Sequence, residues 1–368
     1  MRVRKIIFSV LLIAFITPAA FCQSEVLKGV VNSLARYKEH KELKYLAAAK
    51  KSIDSLFVVN SDSTNFEKNV YLTVVNSSVL YVDSLNSLNQ PINLLAKTSR
   101  LMDKLKDNPK KGRFEKDLSF AATCLANVYM RNGFNYLVRS DIINAQRQFL
   151  TAKKFAPAFK QIDAYLAYVN ASLGNLPAAA SFYDSLADDI TADHVEAASA
   201  VYKAVGDTAK AIKLLERFRK KSPENNFILL DAANIYNNKQ NYTSLKPLLP
   251  GLLDINQNNP DIVFVAANCY DRLGEYENAE KLYLKAVELN GAAYDPTFNL
   301  GLLYLKKSAQ KEGSAAENLS YATAWLEKAT EIAPNNINCL EVLRLLYSQT
   351  KNKTQLDKVN NKLKQLTN

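Results

Sequence analysis

Apolar residues recur every three or four positions along most of the chain, which is the spacing of an amphipathic α-helix. The pattern is clearest from Pro260 to Asn290, where small and aromatic residues alternate through two successive helical stretches. This segment predicts two antiparallel helices joined by a tight turn at Gly274, where glycine tolerates a positive φ. Neither helix could bury its apolar face alone, so such hairpins must stack on one another.

The same arrangement recurs at intervals of roughly 34 residues between Ser119 and Leu366. Small residues let two helices approach closely, and aromatic residues fill the space between hairpins. The marking residues, unit by unit, are Tyr129, Gly133, Tyr136, Ala145, Phe149 and Ala152; Leu166, Ala167, Gly174, Ala179 and Tyr183; Ala198, Tyr202, Gly206, Ala211 and Leu215; Ala232, Ala233, Tyr236, Tyr242, Leu245 and Leu249; Leu300, Gly301, Tyr304, Ala322, Leu326 and Ala329; and Leu343, Tyr347, Leu356 and Leu363. In the penultimate unit, extra residues between Lys306 and Ser320 predict a lengthened inter-helix turn.

This spacing resembles the motif of the tetratricopeptide-repeat (TPR) family, in which small and aromatic residues occupy fixed positions of each helix pair. In the clearest unit, Ala267 and Ala279 match the small positions, while Tyr270 and Tyr283 match the aromatic ones. The resemblance implies an all-α fold, a right-handed α-solenoid of stacked antiparallel hairpins. Together with the N-terminal segment described below, the repeats resemble exported TPR proteins of the Bacteroidota.

The first third of the chain shows a weaker pattern. Helices are predicted over Leu43–Leu56, Phe66–Leu85 and Pro91–Leu105, either as diverged repeats or as a cap on the array. The segment Lys106–Asp117 contains Pro109 and Gly112 and is the predicted boundary. The expected organisation is a signal at 1–22, an N-terminal helical region at 23–117, and a TPR array at 118–368 that has about seven helix pairs and ends in an amphipathic capping helix.

The N-terminus has the order of features of a secretory signal peptide: a basic start, an apolar stretch over Ile6–Ile16, and small residues at Ala20 and Cys22. Cleavage is therefore predicted before Gln23, which would place the mature protein in the periplasm or at the cell surface. Lipid attachment at Cys22 is the less favoured alternative, because Phe21 stands where a small residue usually precedes a lipidated cysteine.

Composition narrows the chemistry that the chain could perform. The formal net charge is +11, but the predicted export favours solvated helix ends over nucleic-acid binding for the basic stretches around Lys110 and Lys220. Histidine occurs only at His40 and His194. No nucleophile elbow, zinc-protease motif, dinucleotide fingerprint or phosphate loop is present. We therefore expect no enzyme activity, no metal and no cofactor.

The remaining residue patterns have ordinary structural explanations. The cysteines of the predicted mature chain stand far apart among apolar residues, which predicts buried small side chains at Cys124, Cys269 and Cys339. The segment Asn60–Asn65 has only part of a calcium-loop pattern, and a polar turn with a helix N-cap is favoured there.

The TPR resemblance implies a groove lined by the first helix of each hairpin. The residues that match the lining positions, and that we expect to bind a partner, are Met130, Phe134, Tyr168, Phe227, Leu230, Asn234, Phe264, Asn268, Asp271 and Phe298. Packing between repeats is the alternative role for the apolar ones. The expected function is a non-catalytic protein–protein interaction scaffold of the cell envelope.

Two other functions are kept as alternatives. The first is a carbohydrate-binding or uptake-system accessory of the outer membrane, with Tyr168 and Phe264 stacking on sugar rings. The second, less favoured, is an enzyme with a cryptic site. The expected partner is another envelope protein or a peptide segment, without nucleic acid and without a membrane span, and peripheral association with the outer membrane is left open.

Overall fold

The computed structural model describes residues 25–57, 65–186, 189–310 and 314–367. Within these ranges the chain forms α-helices and short 3-10 helices, and no strand is found in them. The predicted all-α class is therefore confirmed. The chain divides into two compact units, unit 1 over Met1–His194 and unit 2 over Val195–Asn368.

Unit 1 consists of helices joined by short connections. Their bounds are α1 Glu25–His40, α2 Leu43–Ser55, α3 Phe66–Val82, α4 Leu94–Lys106, a 3-10 helix Pro109–Phe114, α5 Glu115–Val138, α6 Ile142–Phe155, α7 Gln161–Ser172 and α8 Leu176–Leu186. From α5 onward these helices form the predicted hairpins, α5 with α6 and α7 with α8.

Unit 2 continues the hairpin pattern, beginning within α9. The bounds are α9 Ala192–Ala204, α10 Thr208–Arg219, α11 Asn226–Asn238, α12 Tyr242–Leu245, a 3-10 helix Lys246–Leu248, α13 Leu249–Ile255, α14 Pro260–Arg272, α15 Tyr276–Leu289, α16 Tyr294–Ala309, α17 Ala315–Ile332, α18 Ile337–Gln349 and α19 Lys353–Thr367. The second helix of the hairpin that begins with α11 is split into α12, the 3-10 helix and α13. The split occurs at Pro247 and Pro250, because proline lacks a backbone N–H.

In five successive hairpins from α5 onward, the turn contains one residue in the left-handed backbone region. Positive φ occurs at Ser140, Gly174, Gly206, Gln240 and Gly274, positions that follow one another at 34, 32, 34 and 34 residues. The prediction for Gly274 is confirmed, since its φ is 78°. The recurrence shows that the repeat length read from the sequence is the structural period of the chain.

Close approach of the two helices in a hairpin explains the small residues. Ala145, Ala179, Ala211 and Ala279 all have no exposed surface. Gly301 is even more constrained, because a Cβ placed on it would lie 2.7 Å from Cγ of Leu326 on the partner helix. The small residues of the sequence pattern therefore mark the positions at which the two helix backbones come closest.

Tyrosine–glutamate hydrogen bonds join consecutive hairpins of unit 2. Tyr304 donates to Glu280 at 2.6 Å, Tyr347 donates to Glu327 at 2.6 Å, and Tyr236 donates to Glu216 at 3.3 Å. In each case the tyrosine lies on a first helix and the glutamate on the second helix of the preceding hairpin. The aromatic residues thus fill the space between hairpins, as the pattern predicts, and also make specific polar contacts there.

The N-terminal helices agree with the prediction in part. Helix α2 matches, with Leu46, Ala49 and Ile53 buried. Helix α3 ends at Val82, three residues early, because the Asp83 carboxylate accepts hydrogen bonds from the next turn and holds a loop. The predicted start of the third helix at Pro91 was also early, since α4 begins at Leu94.

The predicted linker Lys106–Asp117 is an ordered connection. It contains the 3-10 helix Pro109–Phe114, whose last side chain is buried against Phe66 and Tyr71, and its final residues begin α5. Its role as a domain boundary stays a prediction.

The extra residues of the penultimate hairpin mostly lengthen its helices. Helices α16 and α17 have 16 and 18 residues, so the expectation of a long turn over Lys306–Ser320 was wrong for most of that segment. The final helix α19 is amphipathic as predicted: Val359 and Leu363 are buried, whereas Lys358 and Lys364 are exposed.

Candidate partner-binding surface

The first helices α11, α14, α16 and α18 of unit 2 present side chains at equivalent positions. Leu230, Phe264 and Phe298 follow one another at 34 residues, and so do Asn234, Asn268 and Leu302. Within each helix the two members are four residues apart and therefore lie on one face. We call this set, with Leu345 of α18, the first-helix surface of unit 2: Leu230, Asn234, Phe264, Asn268, Phe298, Leu302 and Leu345.

An ion pair between a buried carboxylate and a half-buried lysine links two of these helices directly. Nζ of Lys306 on α16 lies 2.7 Å from Oδ2 of Asp271 on α14, and the Tyr283 hydroxyl lies 3.5 Å from the same oxygen. Asp271 is 7% exposed. Its prediction as a partner-binding residue is corrected in this respect, because its carboxylate binds within the protein and positions α16 beside α14.

Two carboxamides of the surface are free to bind. Asn234 is exposed and Asn268 is half-buried. Neither side chain has a hydrogen-bond partner within the described part of the chain, whereas many asparagines of this protein cap helices or bond to neighbouring side chains. Each carboxamide offers two donor hydrogens and an acceptor oxygen. These groups can therefore pair with a peptide backbone without losing an internal hydrogen bond.

The apolar members are partly covered. Phe264 is half-buried and its ring centroid lies 6.0 Å from that of Tyr283; Phe298 is half-buried and stacks on Tyr294 at 5.4 Å. Both rings are thus held in place from one side and retain exposed area. Phe227 and Leu230 on α11 are also half-buried. A role in packing and a role in binding are both compatible with this burial.

The remaining predicted residues belong to unit 1. Met130 is only 7% exposed, so the structure corrects its prediction as a lining residue and places it in the interior. Phe134 is half-buried and packs edge-to-face against Phe149 and Tyr165, at centroid distances of 5.5 and 4.7 Å. Tyr168 is 40% exposed.

One residue of the surface was not predicted from the sequence. Leu345 is 66% exposed, an unusually large fraction for a leucine. It follows Leu302 by 43 residues, which is one repeat plus the nine residues by which this hairpin is longer than its neighbours. The insertion hid the equivalence, and a repeat count that skipped it would have found Leu345.

Reactive side chains are buried or dispersed. Burial raises the pKa of Cys124 to about 12 and that of Cys269 to about 11, so both stay protonated thiols at neutral pH, as expected of small buried side chains. The pKa of His194 is lowered, chiefly by burial, and its Nδ1 lies 2.8 Å from Oγ1 of Thr191. Within the described ranges, three or more metal-binding side chains do not cluster anywhere.

The export prediction concerns residues that lie outside those described. The predicted signal at 1–22 falls there, as do Asn60, Asp62 and Thr64 of the partial calcium-loop pattern. Asn65, the last residue of that pattern, does cap a helix as predicted, since Oδ1 accepts a hydrogen bond from the Lys68 amide. Among the helices described, none combines the length and apolar character that crossing a bilayer requires.

Comparison with known proteins gives similarities of fold. No family model and no curated protein matches the chain. The C-terminal part of a TPR repeat-containing protein from Cytophaga hutchinsonii aligns over 64% of this chain and 95% of its own, with 14% identity and a TM-score of 0.48. MamA aligns over 46% of this chain and 91% of its own, with 18% identity and a TM-score of 0.41. MamA 41-end from Desulfovibrio magneticus RS-1 aligns over 58% of this chain and 97% of its own, with 13% identity and a TM-score of 0.30.

Because these sequence identities are low, the repeat is described from features of the chain itself. The hairpin period, the left-handed turn residues and the fully buried alanines where helices meet are all features of one repeat design. From α5 to the final helix, this chain is a series of helix hairpins that resemble tetratricopeptide repeats in period and in the placement of small residues.

Proposed function

We propose that the chain is a non-catalytic scaffold and that the first-helix surface of unit 2 binds an extended segment of a partner protein. The observation that carries this proposal is the pair of free carboxamides, Asn234 and Asn268, at equivalent positions of consecutive hairpins. A protein that stacks hairpins has an extended surface, and extended surfaces of repeat proteins serve binding.

The two carboxamides recur at the same position of consecutive first helices, 34 residues apart in sequence. A partner segment in extended conformation that crosses both helices can therefore meet one asparagine after the other. Each asparagine can donate to a backbone carbonyl and accept from a backbone amide, which holds the strand without regard to its sequence.

Apolar side chains next to the carboxamides supply the rest of the affinity. Phe264 precedes Asn268 by one helical turn, and Leu230 precedes Asn234 in the same way. Aromatic and aliphatic anchors with fixed orientations commonly dominate the energy of an interface. The combination favours a partner segment that has apolar side chains and an accessible backbone.

The cell envelope is the proposed location, and it rests on the signal-like order of residues 1–22. The partner is then another envelope protein. The scaffold role rests on the repeat architecture and on the free carboxamides.

A photo-crosslinking experiment tests the surface in the full-length protein. A photoreactive residue at Asn268 is compared with the same residue at Asn361, which is exposed on α19 and lies outside the proposed surface. We expect Asn268 to crosslink one partner through a short contiguous segment, and Asn361 to leave that partner unlabelled. Equal labelling from the two positions would show that the first-helix surface is not the binding site.

The mapped segment then permits an affinity measurement. Replacing two neutral hydrogen-bonding side chains removes about 0.5–1.5 kcal/mol each, so Asn234→Ala with Asn268→Ala should weaken binding roughly thirtyfold. Asn361→Ala is the matched control and should bind as wild type does. Unchanged affinity in the double variant would refute the role of the carboxamides.

A further inference from the structure

Helix α10 and the turn that follows it carry one basic face. Its cations are Lys210, Lys213, Arg217, Lys220 and Lys221. At 3.6 residues per turn, the first three lie within an arc of about 60°, and the C-cap Lys220, which keeps helical backbone angles, extends this arc to about 80° before Lys221 follows in the turn. With a rise of about 1.5 Å per residue, the face extends over roughly 16 Å. This surface is separate from the first-helix surface, since α10 is the second helix of its hairpin.

The cations of this face are accessible and weakly neutralised. Lys210, Lys213, Lys220 and Lys221 are exposed. In the described part of the protein, Lys213 and Lys220 form no ion pair. The positive charge of the face therefore remains available to a ligand.

Two acidic residues lie on or next to α10, Asp207 and Glu216, and both carboxylates already accept hydrogen bonds within the protein. Glu216 is half-buried and accepts from Nε and Nη2 of Arg219 and from the Tyr236 hydroxyl. Asp207 caps α10 by accepting from the Lys210 amide, and its second oxygen lies 3.4 Å from Lys210 Nζ at the extreme end of the face. Between these two acids, α10 carries no other acidic residue.

Aromatic rings at the border of the face support several of the cationic side chains. The Arg217 guanidinium lies 5.1 Å from the centroid of Phe218, and Nζ of Lys221 lies 5.6 Å from the same ring. Nζ of Lys210 lies 5.8 Å from the Tyr202 centroid. Such contacts limit the freedom of the side chains, and less conformational entropy is then lost when the face meets a ligand.

We propose that the basic face of α10 binds the surface of a membrane that contains anionic phospholipids. Four of the five cations are lysines, whose compact ammonium groups act as point charges and suit headgroups without fixed positions. A helix side offers no cleft for a single small anion, but it can lie along a flat charged surface. No aromatic side chain is exposed within the basic arc, so the stacking that holds single-stranded nucleic acid is not provided there.

The association is electrostatic and reversible by salt. Each lysine or arginine near an anionic leaflet strengthens binding by roughly fivefold, and the attraction fades within a Debye length of about 8 Å at physiological ionic strength. Because no large apolar side chain is exposed within the arc, the face contacts headgroups without entering the hydrocarbon. The protein would thus be held at the bilayer while its first-helix surface serves a different ligand.

The proposal is tested by vesicle sedimentation of the protein from Gln23 onward, without the predicted signal at 1–22. The vesicles contain either phosphatidylcholine alone or equal parts phosphatidylcholine and phosphatidylglycerol. We expect binding only to the anionic vesicles, with loss of binding at high salt. Lys213→Gln, Lys220→Gln and Lys221→Gln together should weaken this binding by roughly a hundredfold.

A variant with the same charge change elsewhere is the matched control. Lys353→Gln, Lys358→Gln and Lys364→Gln remove three exposed lysines of α19 in the same unit. This control should retain binding within a few-fold of wild type, and circular dichroism should show equal helical content in both variants. Equal loss in the two variants would overturn the proposal, since net charge alone would then explain binding.

Two further results would also overturn it. One is the absence of wild-type binding to anionic vesicles at low salt. The other is tighter binding to a DNA duplex or single strand than to the vesicles, because the face would then serve a nucleic acid.

Discussion

The hydroxyl of Tyr304 donates a 2.6 Å hydrogen bond to Oε1 of Glu280, and Lys307 contacts the other oxygen of the same carboxylate. Tyr304 and Lys307 belong to the first helix of one hairpin, whereas Glu280 belongs to the second helix of the preceding one. Because Glu327 and Tyr347 repeat the arrangement one hairpin later, the contact is a regular part of the interface between repeats. Stability of unit 2 should therefore depend on the Glu280 carboxylate being ionised.

Glu280 makes the stability of unit 2 sensitive to acid. Burial raises the pKa of this carboxyl, but hydrogen bonds from Lys307 and Tyr304 outweigh burial and lower it below the usual 4.5. A folded-state pKa below the unfolded one gives stability that is present above the unfolded pKa and is lost as pH falls through the folded pKa. In urea unfolding from neutral pH to below pH 4.5, Glu280→Gln should flatten the acid-side fall relative to wild type.

The control for this pH dependence lies on the same helix. Glu288 is exposed on α15, and Glu288→Gln should reproduce the wild-type pH profile. A Glu280→Gln profile that is parallel to wild type throughout would show that the contact contributes nothing to acid sensitivity.

Gly301 should not tolerate a methyl group. The Cβ of alanine at this position would lie 2.7 Å from Cγ and 2.9 Å from Cδ2 of Leu326, so the two helices must separate. Overpacking of this kind costs about 1–3 kcal/mol, and we expect Gly301→Ala to lower the free energy of unfolding in urea by that amount. Gly291→Ala is the matched control, because its Cβ would meet only the Val287 carbonyl oxygen at 3.8 Å. Equal stability of the two variants would contradict the close approach.

Ala279 tests the same packing from the other helix of a hairpin. Its side chain has no exposed surface at the start of α15, so Ala279→Leu would insert three carbon atoms into filled space. We expect a loss of about 1–3 kcal/mol and a lower melting temperature. Ala324→Leu, at an exposed position of α17, should leave the melting temperature close to wild type. An unchanged melting temperature for Ala279→Leu would show that the assigned repeat register is wrong.

The repeats could be predicted because their physical requirements act over short distances in sequence. Close helix contact demands a small residue such as Ala279, and a reversing turn favours glycine at Gly274. Both requirements recur at the repeat length, so several weak signals in phase identified the fold. The same reasoning failed over Lys306–Ser320, since extra residues can lengthen either a turn or two helices and the sequence pattern allowed both.

The candidate binding residues were harder to predict, because exposure depends on neighbours that are distant in sequence. Met130 matches a lining position, but packing in unit 1 buries it. Asp271 also matches one, and only the position of Lys306 on the next first helix shows that its carboxylate is already paired. The availability of Asn234 and Asn268 is likewise visible only once every nearby donor and acceptor is placed.

The predicted signal peptide can be tested directly on the protein isolated from its native cells. N-terminal sequencing should find Gln23 as the first residue, with cyclisation to pyroglutamate as a blocked form that mass spectrometry detects. A chain that retains Met1 and fractionates with the cytoplasm would contradict export. Acylated Cys22 would instead show anchoring in a membrane through lipid.

The last prediction separates binding from packing at the first-helix surface. Phe264 and Phe298 occupy equivalent positions on α14 and α16, and each ring is half-buried. If they are anchors, truncating each costs about 2 kcal/mol of binding energy, which is roughly a thirtyfold loss of affinity per ring. Phe264→Ala with Phe298→Ala should therefore abolish binding of the crosslinked partner segment, as measured by calorimetry, while circular dichroism shows unchanged helical content.

A second pair of variants separates loss of an anchor from loss of structure. Phe264→Leu with Phe298→Leu keeps much of the apolar volume that packs beside Tyr283 and Tyr294, so it should fold like wild type and bind with intermediate affinity. Unfolding of the alanine pair together with full binding by the leucine pair would assign the rings to packing. If the alanine pair folds and binds as wild type does, the two rings are not anchors of the partner segment.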